Sequence, residues 1–159
     1  MKKLKNLQWH KTFLKIAIII SHHSTCSRIK VGAILTKDYR IISTGYNGVP
    51  SGKQHCNEIF KNVDITSDEF KKQHGEWSKI NELHSESNCI LAAAKNGIST
   101  KDTILYITLS PCIDCAKQIV SAGIKEVYYF EKYDRDQTGI AYLKESKIKV
   151  TQIENIYEE

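Results

Sequence analysis

The apolar positions follow two different periods along the chain. Leu7, Phe13, Leu14, Ala17 and Ile18 recur at helical spacing, with Lys11 and Lys15 between them, which predicts an amphipathic first helix packing on a core. Val31 to Thr36 and Arg40 to Tyr46 are β-branched runs joined by KDY, the pattern of a hairpin. A helix is expected from about Ser85 to Lys95, stopped by Asn96-Gly97. Thr103 to Leu109 reads as a third strand, Cys112 to Ala122 as a helix closed by Gly123, and Glu126 to Phe130 as a fourth strand. IAYLKES and KIKVTQI supply a last helix and strand. Strands alternating with helices argue for a three-layer α/β/α domain, to whose mixed sheet the first hairpin adds an antiparallel pair.

The exception is residues 47–83, too long for an ordinary connection and without a clear hydrophobic period, which reads as a functional insertion. The full length, residues 1–159, fits one domain with its own core. The lysine-bearing, apolar-ending start has the outline of a signal peptide, but Lys11 and Lys15 break the run and no small-residue cleavage site follows. No apolar run has the length to cross a bilayer, so a soluble protein away from membranes is expected.

Composition sharpens this picture in two places. The five cysteines, at positions 26, 56, 89, 112 and 115, are odd in number and too dispersed for a secreted disulfide scaffold, which favours a reducing compartment and metal or redox use. The net charge of +5 comes from scattered lysines, not a stripe with interleaved aromatics. That argues against a polymeric nucleic acid partner and leaves a small phosphorylated ligand open.

The pair Cys112 and Cys115 in SPCIDC suits a redox dithiol, half of a four-cysteine structural zinc site, or part of a mixed catalytic site. A thioredoxin-like context and a second C-x-x-C are both missing. The sequence His84-Ser85-Glu86 also precedes a helix. If the third strand lies beside that helix, both motifs stand at helix starts on the same side of the sheet, and His84, Cys112 and Cys115 surround one Zn²⁺. Helix N-termini favour thiolate over thiol, and Pro111 suits a helix entry because its missing N–H costs little there. Three protein ligands leave one tetrahedral corner for water, whose pKa on zinc falls to about 7. Glu86 is then placed to shuttle protons without ligating; on an ordinary helix it is simply a favourable first-turn charge. Cys89 falls on the apolar side of its helix and reads as core.

Helix-borne H-x-E followed by P-C-x-x-C is the signature of zinc nucleobase deaminases. With it, CSRIKVGAIL, STGYNGVPSG, HSESNCILAAAKNG and YITLSPCIDCAKQIVSAGIK together resemble the phage-type branch of the zinc-dependent cytidine and deoxycytidylate deaminase family, from Cys26 to about Tyr133. The resemblance implies a cytidine-deaminase-like fold around a central mixed five-stranded sheet. It implies hydrolysis of dCMP to dUMP and ammonia, supplying thymidylate synthesis, in the cytoplasm (of the host cell if phage-encoded). In that chemistry Glu86 moves protons between water, N3 and the departing amine, a backbone carbonyl near Ser110 receives the amino group, and the Ser85 N–H holds the ring O2. Relatives usually read HAE; because the implied contact is a backbone one, Ser85 should preserve it.

The same resemblance implies Arg28, in the C-x-R position, and Tyr133 as contacts of the 5′-phosphate. Relatives often carry arginine directly after that tyrosine; Asp134 intervenes here and makes Arg135 the substitute. Asn47 looks like a nucleotide contact. Gly45, Tyr46, Asn47, Gly48 and Gly52 resemble part of an effector site for dCTP as activator and dTTP as inhibitor, in a homohexamer. HGEWSKINELH resembles the segment that helps build a second, structural zinc site, for which Cys26, Cys56, His74 and Glu82 are the remaining donors; otherwise they are a buried thiol, a loop thiol and two solvated side chains. The tRNA adenosine deaminases share H-x-E and P-C-x-x-C but lack GYNGVPSG and the HGEW segment. A noncatalytic zinc-stabilised module would leave Glu86 dispensable.

Overall fold

A computed structural model describes residues 2–157, with side chains from Asn6 onward; Met1, Glu158 and Glu159 lie outside the described residues. The strands are β1 (Gly32–Lys37), β2 (Arg40–Tyr46), β3 (Ile104–Leu109), β4 (Glu126–Glu131) and β5 (Lys149–Gln152), in one sheet ordered β2-β1-β3-β4-β5. β1 is antiparallel to both β2 and β3, while β3, β4 and β5 run parallel. The hairpin turns on Asp38 and Tyr39 at φ 49° and 60°, the left-handed pair that matches strand twist in a two-residue turn. A register shift at Leu35/Thr36 marks a bulge in the hairpin.

Side-chain alternation sends each strand's residues to opposite faces. Ile34, Tyr106 and Tyr128 meet Phe13, Leu14 and Ala17 of α1 (Lys2–Ser21) on one face. Ala33, Leu35, Leu105, Ile107 and Val127 form the other core. The 47–83 segment carries two helices, α2 (Cys56–Ile59) and α3 (Asp68–Asn81). The second core is covered by Cys89 and Ala93 of α4 (Ser85–Lys95), Ala116 and Ile119 of α5 (Ile113–Ser121), and Leu143 of α6 (Thr138–Glu145). The three-layer α/β/α architecture and the mixed five-stranded sheet are therefore as the sequence predicts, and Cys89 is core. No described helix is long and apolar enough to cross a membrane.

Two features differ from expectation. Of the apolar positions named for α1 only Phe13, Leu14 and Ala17 are buried; Leu7 is exposed and Ile18 half-buried, because polar and apolar residues are mixed around the helix and burial is decided by the sheet. The 47–83 segment has a helical period after all. Phe70, His74 and Trp77 share one face of α3 and pack with Phe60, Cys56 and Cys26 in a separate small core. Ser67 caps α3, its hydroxyl accepting from the Phe70 N–H at 3.1 Å. Gly48 and Leu83 close the segment by exchanging two backbone hydrogen bonds, 3.0 and 2.9 Å long.

Candidate active site

The parallel order of β3 and β4 puts the start of α5 beyond the carboxyl end of β3, the edge where open α/β sheets bind ligands. Cys112 is the N-cap of α5 and His84 the N-cap of α4, both in extended backbone. Their side chains converge: His84 Nδ1 lies 3.5 Å from Cys112 Sγ and 3.4 Å from Cys115 Sγ. Tetrahedral zinc with ordinary Zn–N and Zn–S bonds requires a nitrogen–sulfur edge of about 3.5 Å, so the triad fits the ion. The donor atoms all lie within 4.8 Å of one another, and Glu86 is not one of the group.

The electrostatics suit the same purpose. The Cys115 thiol and the His84 ring hold Cys112 down to about 4, as thiolate, whereas Cys115 is pushed up by its charged neighbour. The hydrogen bond to Cys112 raises His84 to about 9. Glu86 is only 4% exposed, and burial pushes its carboxyl above the usual carboxylate range. Its Oε2 accepts the Ser85 hydroxyl at 3.0 Å.

These residues line a cavity of about 660 Å³ that also takes in Arg28, Asn47, Lys79, Ser110, Tyr133 and Asp136. Ser110 anchors the loop after β4: its Oγ accepts the Tyr133 N–H at 2.8 Å, and its own N–H donates to Glu131 O at 2.8 Å. Asn47 reaches the cavity, but its amide works within the chain, accepting from Val31 N at 2.8 Å and donating to Ile29 O at 2.9 Å.

Arg135 is exposed beside the cavity, whose lining takes in its neighbour Asp136. At Gly45 an added Cβ would meet Cys89 N and Ser85 O at 2.4 Å, so this glycine is the point where α4 rests on β2. Gly48 spends its backbone on Leu83, Tyr46 is exposed, and Gly52 sits in an exposed turn at φ 85°; all three lie outside this cavity. Sequence reasoning missed Lys79. Lys79 stands four residues after Gly75, on a side of α3 that lines the cavity and that no sequence motif marks.

Cys26, Cys56, His74 and Glu82 also come together, with donor atoms within 4.8 Å of one another and Cys26 Sγ 3.3 Å from His74 Nε2. Here burial drives the donors toward neutrality: Cys26 up to about 11, Glu82 up, His74 down. His74 Nδ1 and Glu82 Oε1 are buried without a hydrogen-bond partner. Two thiols, an imidazole and a carboxylate with unmet bonding capacity form a closed four-donor set of the structural zinc type.

The profile of the cytidine and deoxycytidylate deaminase zinc-binding region matches residues 7–131. The deoxycytidylate deaminase of Enterobacteria phage T2 is 42% identical over 155 residues, covering 80% of this chain and 82% of its own. That of Enterobacteria phage T4 is 40% identical, covering 80% of each. The crystal structure of dCMP deaminase from the cyanophage S-TIM5 in complex with dCMP and dUMP superposes with a TM-score of 0.74 at 32% identity, covering 96% of this chain and 98% of that one. A triad with the dimensions of a zinc corner, a buried glutamate beside it, and likeness over nearly the whole chain agree: the chain belongs to the cytidine and deoxycytidylate deaminase family of zinc-binding hydrolytic enzymes.

Proposed function

We propose that the chain hydrolyses dCMP to dUMP and ammonia, supplying dUMP for thymidylate synthesis. The observation that carries this is the three-donor corner of His84, Cys112 and Cys115 beside buried Glu86, in a cavity that also holds Arg28. When bound, zinc lowers the pKa of a water to about 7 and so supplies the nucleophile for C4 of the cytosine ring. Glu86 takes the proton released by that water, transfers it to N3, and delivers a proton to the departing amine, so that water and dCMP become dUMP and ammonia. Its raised pKa suits both halves of the exchange. The Ser85 N–H and a carbonyl near Ser110 orient the ring, while Arg28, Tyr133 and Lys79 serve the 5′-phosphate.

The wider reading follows the same family. The chain works as a single domain with 47–83 as an insertion, in the cytoplasm, as a homohexamer. It is activated by dCTP and inhibited by dTTP, with Tyr46, Asn47, Gly48 and Gly52 toward the effector; Cys26, Cys56, His74 and Glu82 hold a second, structural Zn²⁺. Steady-state turnover of dCMP with and without dCTP and dTTP, beside a zinc count per chain, tests all of this. Zinc-loaded protein that releases no ammonia from dCMP sinks the assignment.

A further inference from the structure

The four-donor cluster draws its residues from segments that also wall the catalytic cavity. Cys26 is followed by Arg28 and Ile29, His74 by Ser78 and Lys79, and Glu82 by His84; each of these followers lines the cavity. Cys56 is the exception: it is fully buried and lines no part of the cavity.

The strap from Ser24 to Val31 has no regular secondary structure, yet it is fastened along its length. The Ser24 hydroxyl donates to Asn47 O at 2.7 Å and accepts the Cys26 N–H at 3.2 Å. The Ser27 N–H donates to Cys56 Sγ at 3.3 Å. The Asn47 amide then clamps Ile29 O and Val31 N. The strap is thus tied to a cluster sulfur on one side of Arg28 and to Asn47 on the other, while the Arg28 side chain itself is exposed. A long side chain on an untethered loop would lose more freedom on gripping an anion than one on a loop already fixed.

Building on the dCMP reading, we infer that the Cys26–Cys56–His74–Glu82 cluster positions the phosphate-binding end of the cavity, fixing Arg28 on its strap and Lys79 on α3, and so selects nucleotide over nucleoside. Arg28 touches the ligand; Cys56 acts only through the strap and is a positioning residue.

The product dUMP and its nucleoside 2′-deoxyuridine allow this to be read by binding alone, in calorimetry of zinc-loaded protein. Cys56→Ser should weaken dUMP about tenfold, the scale of a hydrogen bond to a charged group, and move deoxyuridine less than twofold. Arg28→Ala should show the same selective loss, and the double variant should bind dUMP no more weakly than Arg28→Ala, because both changes remove one interaction. Equal weakening of both ligands, or additive losses, would overturn the positioning role. Should Cys56→Ser not fold, amide exchange in unmodified protein decides: dUMP should slow Ser27, Arg28 and Ile29, and deoxyuridine should not. No change at these amides under saturating dUMP overturns the inference alone. Unmodified protein that binds neither ligand would overturn the nucleotide reading as well.

Discussion

The chain builds two cysteine–histidine clusters from similar atoms in opposite surroundings. The first has three donors, two of them helix N-caps, and opens into a cavity. The second has four, set among Phe60, Phe70 and Trp77. In the first, neighbouring charges hold a thiolate ready; in the second, desolvation drives the donors neutral until a cation supplies the counter-charge. The first set leaves one tetrahedral corner to a ligand; the second fills all four from side chains.

The comparison breaks most sharply at Glu86, which belongs to the open cluster alone. Glu86→Gln should keep both clusters and the fold while lowering kcat by about 10²–10⁴-fold; zinc counting beside ammonia release checks it. Full activity in that variant would refute the proton-shuttle role given to Glu86, whereas zinc-loaded unmodified protein without ammonia release would leave a noncatalytic zinc module as the better reading.

Phe70→Ala strikes the other side. It should cost about 3–5 kcal/mol by opening the small aromatic core, and the loss should be seen in amide exchange of α3 before the central sheet. Simultaneous exchange of α3 and β3 would mean that the insertion and the sheet unfold as one unit.

The pH profile sharpens the contrast with less force. Because burial raises the carboxyl pKa of Glu86, and only its ionised form accepts a proton, kcat/KM should fall on the acid side at a pH above the ordinary 4.5. The same shift makes its protonated form an asset to folding that is complete below 4.5 and lost as pH rises through the raised value. Glu86→Gln, neutral throughout, should therefore gain Tm on the unmodified protein across that window. Ser85→Ala is the gentlest probe: it removes one hydrogen bond to Glu86 and keeps the backbone N–H, so kcat should change less than tenfold with KM unmoved.

The catalytic triad was legible in the sequence because each half of it is local. H-x-E and P-C-x-x-C each announce a helix start, and strand–helix alternation aligns those starts at one sheet edge. The order of α3 was less legible, since one of its three inward residues is His74, which a hydrophobic count scores as polar. The role of Gly45 depends on a crossing between β2 and α4, distant in sequence, and no turn pattern near Gly45 signals it. That Lys79 and not Arg135 lines the cavity was illegible for a related reason: the direction of a surface loop or a helix face decides it, while composition records only that both are basic. The reading of α1 failed at Leu7 and Ile18 because polar and apolar residues are mixed around that helix and do not encode which side the sheet covers.

The two hydrogen bonds between Gly48 and Leu83 make the excursion between them begin and finish at a single point. Loop closure is thereby completed at the root, and the entropy of closure grows only slowly with what is threaded through it. The intervening stretch is in effect a cassette hung from one point, able to change length away from its cavity-lining and donor residues while the strands beneath keep their register.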